Sequence, residues 1–258
     1  MTQPYDAFAA VKVPEFRNFL IGRFSFIMGL RMLGTLVGWW VYELTNEPFA
    51  IGLIGLSEVI PAVSLSLYAG HVIDISEKRR MMLRGVSLYF TAVIMLLVLS
   101  SKITAIQLAN NTIVYCIYFI IFFTGIVRAF TGPIFHAILA SIVPKNLLQN
   151  ATTWNQGIWL SASVIGHASV GFLIAGLGNT GALIVIASLA FTGFLFLFQL
   201  KPKPPIQQAH EKKTFESVKE GLHFVFKTKE VLGALSLDLF AVLFGGAVAM
   251  VPVFARDV

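Results

Sequence analysis

Four ionisable side chains, Arg31, Glu58, Arg128 and Asp238, stand inside long runs of apolar residues. Charge buried in a bilayer is costly, and it is kept where it faces a cavity or an opposite charge. The chemistry these residues can do is therefore the holding of ions and polar solutes within a membrane. Arg31 lies about fourteen residues into its run, roughly 21 Å at 1.5 Å per residue, which is near mid-membrane. Arg128 sits at similar depth in the fourth run. Glu58 falls in the outer half of the second run and Asp238 in the inner half of the seventh. Two bases and two acids would nearly cancel if they met in one cavity. The alternative for each is a static ion pair that fixes helix register. Arg23 lies nearer an end and is expected to be interfacial, with its side chain snorkelling.

Other chemistries find little in the chain. His136 and His167 sit in different apolar segments with no carboxylate or cysteine at ligand spacing, so packing roles are expected and no metal site. There is no nucleophile elbow, phosphate-binding glycine loop or catalytic carboxylate pair; Gly55-Leu56-Ser57-Glu58 lacks an elbow's second glycine. The sequence reads as no enzyme and implies no cofactor. Its single cysteine, Cys116, excludes an intrachain disulfide and a cysteine-based zinc site, and is read as a small hydrophobe.

The elements that must position the four charges follow from composition. Of 258 residues, 57% are hydrophobic and 12% charged, with a mean hydropathy of +0.79. A soluble domain carries about 25% charged residues, and here the apolar residues fall in runs rather than stripes. Seven runs reach the roughly 20 residues that a membrane helix needs. They are Arg17–Tyr42, Ile51–Val72, Met81–Ser100, Thr112–Ala140, Ala151–Ala175, Gly181–Leu200 and Val231–Phe254. Their lengths and lack of alternation make a β-barrel a poor alternative. The net charge of +6 could suggest nucleic acid, but the bases sit in loops between the runs, where they set membrane topology. With the N-terminus inside, fourteen of the nineteen Lys and Arg fall on the inner side and two outside, so a cytoplasmic N-terminus is expected. No cleaved signal peptide is apparent.

Small residues in the first and fifth runs, Gly34 with Gly38 and Ala162 with Gly166, read as helix-packing faces. Trp39, Trp40, Tyr42, Trp154 and Trp159 read as interfacial anchors, with a ligand-stacking role the alternative for Trp159. After the sixth run, Lys201-Pro202-Lys203-Pro204-Pro205 opens a basic linker in which Thr214 can cap an amphipathic helix. The domain reading is 1–200, a six-helix transmembrane bundle; 201–230, a cytoplasmic linker; and 231–258, a seventh transmembrane helix. A lone helix has no bundle of its own to pack in, so the sequence reads as a fragment cut early in a second bundle.

Between the second and third runs lies Gly70-His71-Val72-Ile73-Asp74-Ile75-Ser76-Glu77-Lys78-Arg79-Arg80. Its dense charge makes it a topological pin. Gly70, Asp74, Lys78, Arg79 and Arg80 match in place and spacing the loop signature of the major facilitator superfamily, which the chain resembles. Ile75 stands where that family usually has Arg, and Glu77 where it has Gly. Gly125-Ile126-Val127-Arg128-Ala129-Phe130-Thr131-Gly132-Pro133 is similar to the family's fourth-helix motif with its arginine. Ile165-Gly166-His167 through Gly171 lies where proton-coupled drug antiporters carry Gly-Pro, with His167 in the proline's place. Asn18–Arg23, Trp39–Thr45 and Leu237-Asp238-Leu239-Phe240 resemble the branch that includes the enterobactin exporter.

What the resemblance implies is an all-α membrane protein, the N-terminal six-helix bundle plus seventh helix of a twelve-helix transporter in a bacterial inner membrane. It implies alternating access and proton-driven antiport, with efflux of a small amphipathic molecule, siderophore or drug-like. The implied partners are that small-molecule substrate, protons, the lipid bilayer and the missing C-terminal half. Arg31, Glu58, Arg128 and Asp238 would serve the cavity or the coupling, Gly125, Gly132 and Pro133 the fourth-helix motif, and Asp74, Arg79 and Arg80 an inner latch between bundles. The alternative is a non-transporting scaffold or an inert half-transporter.

Overall fold

Proline opens the first two helices, where its missing N–H costs nothing and its fixed φ suits the first turn. In a computed structural model, which describes residues 6–202 and 223–244, α1 spans Pro14–Thr45 and α2 spans Pro48–Ile75. They are joined by a turn in which Asn46 adopts the left-handed conformation and its N–H bonds the Tyr42 carbonyl at 2.8 Å. Helix α3 is Lys78–Leu99, followed by the short α4 (Lys102–Gln107), α5 (Asn110–Ile142), α6 (Leu148–Phe198) and α7 (Lys229–Phe244). Every regular element among the described residues is helical. Five helices, Pro14–Thr45, Pro48–Ile75, Lys78–Leu99, Asn110–Ile142 and the run ending at Phe198, are long and apolar enough to cross a membrane.

The expected fifth and sixth segments follow each other in one stretch, Leu148–Phe198, that is broken at Gly178. At 51 residues and 1.5 Å per residue it would be about 77 Å long if straight, more than twice a bilayer core. Gly178 resolves this. Its φ of 68° and ψ of −180° lie in a region open essentially to glycine alone, and there the chain turns back. Before the turn, Asn150 and Trp154 bond the Ala7 carbonyl beside the start of α1. At the turn, Asn179 bonds Glu43 near the far end of α1, and Thr180 bonds Ser100. After it, Gln199 bonds Asn18 and the Lys201 N–H bonds Glu15, again at the start of α1. The two arms of α6 are thus antiparallel spans hinged on one residue.

Helix α1 is the hub and packs along both arms of α6. Phe19, Phe26 and Phe135 join α1 to α5, and Phe90 with Phe191 joins α3 to the second arm. Ala162, Gly166 and Val170, four residues apart, turn one buried face of the first arm to α1, as the small-residue spacing predicts. A Cβ on Gly166 would lie 2.9 Å from the Met28 carbonyl oxygen. Gly34 has open space around it instead, so the first helix's Gly34–Gly38 pair is not a packing face at Gly34. Trp40 and Tyr42 are buried in the bundle.

The connection from α2 to α3 is shorter than the sequence suggests. Gly70 through Ile75 complete the last turns of α2, and two residues, Ser76 and Glu77, make the bend. The Glu77 carboxylate accepts from the backbone N–H groups of Arg79 at 3.0 Å and Arg80 at 2.8 Å, capping α3. Helix α7 leaves Leu235, Leu237 and Phe240 exposed. The linker helix expected from Thr214 lies largely outside the described residues, as does the end of the seventh segment beyond Phe244.

Candidate functional site

Arg31, Glu58 and Arg128 meet. Each lies near the middle of its own helix, on α1, α2 and α5 respectively, so antiparallel packing brings them to one level. An Arg128 Nη1 hydrogen donates to Glu58 Oε1 at 2.6 Å, a charge-assisted contact between α5 and α2. Close approach of the two helices makes the reach possible. A Cβ on Gly125, one turn before Arg128, would collide with the Glu58 carbonyl oxygen and with Pro61. Gly125 and Arg128 thus present one face to α2, the glycine touching backbone and the arginine touching the carboxylate.

The pair is not sealed. Among the described residues, the Arg128 side chain is 45% exposed and that of Glu58 29%. The fourth-helix arginine expected to be buried stands partly in the open.

Arg31 has a different setting. Its guanidinium carbon lies 5.2 Å from the Trp159 ring centroid, on the first arm of α6, a cation–π contact. Its Nε is buried with no hydrogen-bond partner among the described residues. One turn on, Thr35 Oγ1 is 2.7 Å from His167 Nδ1, which ties α1 to the same arm and makes His167 a hydrogen-bonded residue, as expected of it. Tyr89, from the middle of α3, is buried against Phe26 with its hydroxyl unpartnered among the described residues. Arg31, Glu58, Tyr89, Arg128, Thr124 and His167 line a cavity of about 90 Å³, walled otherwise by apolar residues such as Leu30, Leu33, Val37 and Ile54. Gly34 lines it too, and its missing side chain is part of the space.

The remaining expected residues lie elsewhere. The side chain of Asp238 falls outside the described set, so only its place on α7 is known. Gly132 and Pro133 are exposed on α5, and nothing lies within 4 Å of the position a Gly132 Cβ would take. In the loop motif, Gly70 likewise has open space, Asp74 and Arg80 are exposed, and Lys78 is buried. Arg79 bonds within this bundle. It donates to the Phe198 carbonyl at the end of α6 and stacks at 5.1 Å on that residue's ring, where a cation complements the helix terminus. Arg23 does not snorkel to solvent. It is 4% exposed, with its guanidinium carbon 5.2 Å from the Phe135 ring.

Sequence reasoning missed Tyr89 and set Trp159 aside as an anchor. The signal available for Trp159 was its distance from the inner end of its run.

The sequence signature of the Major Facilitator Superfamily matches residues 19–258. A curated relative, the Staphyloferrin A transporter of Staphylococcus aureus, is 27% identical over 151 residues. That match takes in 57% of this chain and 36% of the relative, so the chain spans about a third of the relative's length.

Proposed function

The chain belongs to the Major Facilitator Superfamily, and on that premise we propose that it is the substrate-holding bundle of a secondary active transporter. The observation that carries the reading is the Glu58–Arg128 pair at mid-bundle, partly exposed, with Arg31 in the same cavity. In the proposed cycle this bundle rocks against a second one, and the cavity opens alternately to either side of the membrane. Glu58 takes the proton. While ionised it holds Arg128 and ties α2 to α5; when protonated it loses the charge-assisted bond and frees α2 to shift. The proton gradient thereby drives movement of the bundle.

The cargo is a small amphipathic molecule, matched by an apolar wall interrupted by a few polar groups. The likeness to a transporter named for staphyloferrin A supports a siderophore-type cargo and, with the branch resemblance, outward movement through a bacterial inner membrane. The test is Arg128→Ala in the full transporter chain. Proton-dependent efflux from cells is expected to be lost while membrane insertion and expression stay unchanged. Normal efflux by that variant would remove Arg128 from the mechanism.

A further inference from the structure

Among the described residues, the charges around the central cavity do not balance. Glu58 is taken up by Arg128, which leaves the Arg31 guanidinium with no carboxylate within 4 Å among the described residues. Hydrogen-bonding capacity is unbalanced in the same sense. The Arg31 Nε–H and the Tyr89 O–H, the latter on a side chain 4% exposed, both lack partners among the described residues. Buried donors are normally satisfied, so a cavity with donors to spare and one net positive charge is built to receive an acceptor that carries one negative charge. Trp159 lies against the guanidinium, its ring centroid 5.2 Å from the guanidinium carbon, a cation–π contact that leaves the N–H groups free to donate.

We propose that Arg31 is the docking point for a single carboxylate on the transported molecule, with Tyr89 donating a second hydrogen bond and Trp159 fixing the guanidinium. This rests on the transporter reading above and names its substrate class. A carboxylate fits better than a phosphate dianion for two reasons. The net charge of Arg31, Arg128 and Glu58 is one unit, which a monoanion neutralises. The cavity of about 90 Å³ has room for a group the size of a few waters, while Leu30, Leu33, Val37 and Ile54 offer an apolar wall to the rest of the molecule. Arg31 is then a specificity-determining residue, and Glu58 with Arg128 a separate coupling element.

The experiment is equilibrium binding to the purified protein in detergent, with no gradient. Hexanoate, its neutral isostere hexanamide, and inorganic phosphate are titrated, reading the tryptophan emission that a Trp159→Phe protein lacks. Hexanoate is expected to give a saturable change and to bind at least about tenfold more tightly than hexanamide or phosphate, the value of one charge-assisted hydrogen bond. Arg31→Gln should lose that preference and Arg31→Lys should keep part of it, both melting near the unsubstituted protein. Equal responses to hexanoate and hexanamide, a stronger response to phosphate, or a folded Arg31→Gln protein that still prefers hexanoate would overturn the proposal. If Arg31→Gln does not fold, the three-ligand comparison on the unsubstituted protein still decides it. Normal proton-dependent efflux by Arg128→Ala, with carboxylate preference intact, would count against the transport reading alone.

Discussion

Glu58 and Arg128 can touch because Gly125 has no side chain. The ion pair closes across the point where α2 and α5 are nearest, with the Glu58 carbonyl oxygen facing the Gly125 Cα. Gly125→Ala should therefore act on the site without touching either charge. Its methyl group must push α2 outward, and overpacking of this kind costs about 1–3 kcal/mol. A lower midpoint of thermal unfolding in detergent, together with weakened coupling, is expected; an unchanged midpoint would mean that α2 yields freely there. The three charges were legible in the sequence because ionised groups stand out in apolar runs. Their partners were not. Tyr89 and Trp159 are aromatic residues in spans full of aromatics, and what distinguishes them is the cavity they face, which depends on the packing of α3 and α6 against α1. Arg23 shows the limit from the other side: its position near a helix end suggested water, but Phe19 and Phe135 close over it.

At the scale of elements, the turn at Gly178 decides the architecture. The sequence placed a connection at Gly176–Thr180 and had no means of seeing that helical hydrogen bonding persists up to a single residue on each side. One glycine suffices because its φ of 68° and ψ of −180° are closed to other residues. Gly178→Ala is accordingly expected to cost about 1–3 kcal/mol, although nothing lies within 4 Å of the added Cβ, so the penalty would come from the backbone alone. A lowered unfolding midpoint measures it, and an unchanged one would show that the turn relaxes into another shape. The long helices were legible, because runs of about 20 apolar residues have few other solutions, whereas the short α4 falls in a stretch read as a connection. The α2–α3 bend was less so. Its charges read as a loop, whereas most of them belong to helix ends: Glu77 caps α3, and Arg79 reaches the last turn of α6. The latch role expected of Arg79 would have to coexist with that bond.

Among the described residues, the ion pair stands partly exposed in the middle of the bundle. A closed bundle would bury Glu58 and Arg128 as a static strut; here 29% and 45% of their side chains are exposed, at the level where a carrier must hold its cargo. Coupling through Glu58 is the central claim, and gradient-driven transport by Glu58→Gln in proteoliposomes containing the full transporter chain tests it most directly. The amide keeps the size and can still accept from Arg128, but it cannot take a proton. With Glu58→Gln, cargo accumulation driven by an imposed pH gradient is expected to vanish while downhill exchange of cargo persists. Accumulation at the unsubstituted rate would contradict the account.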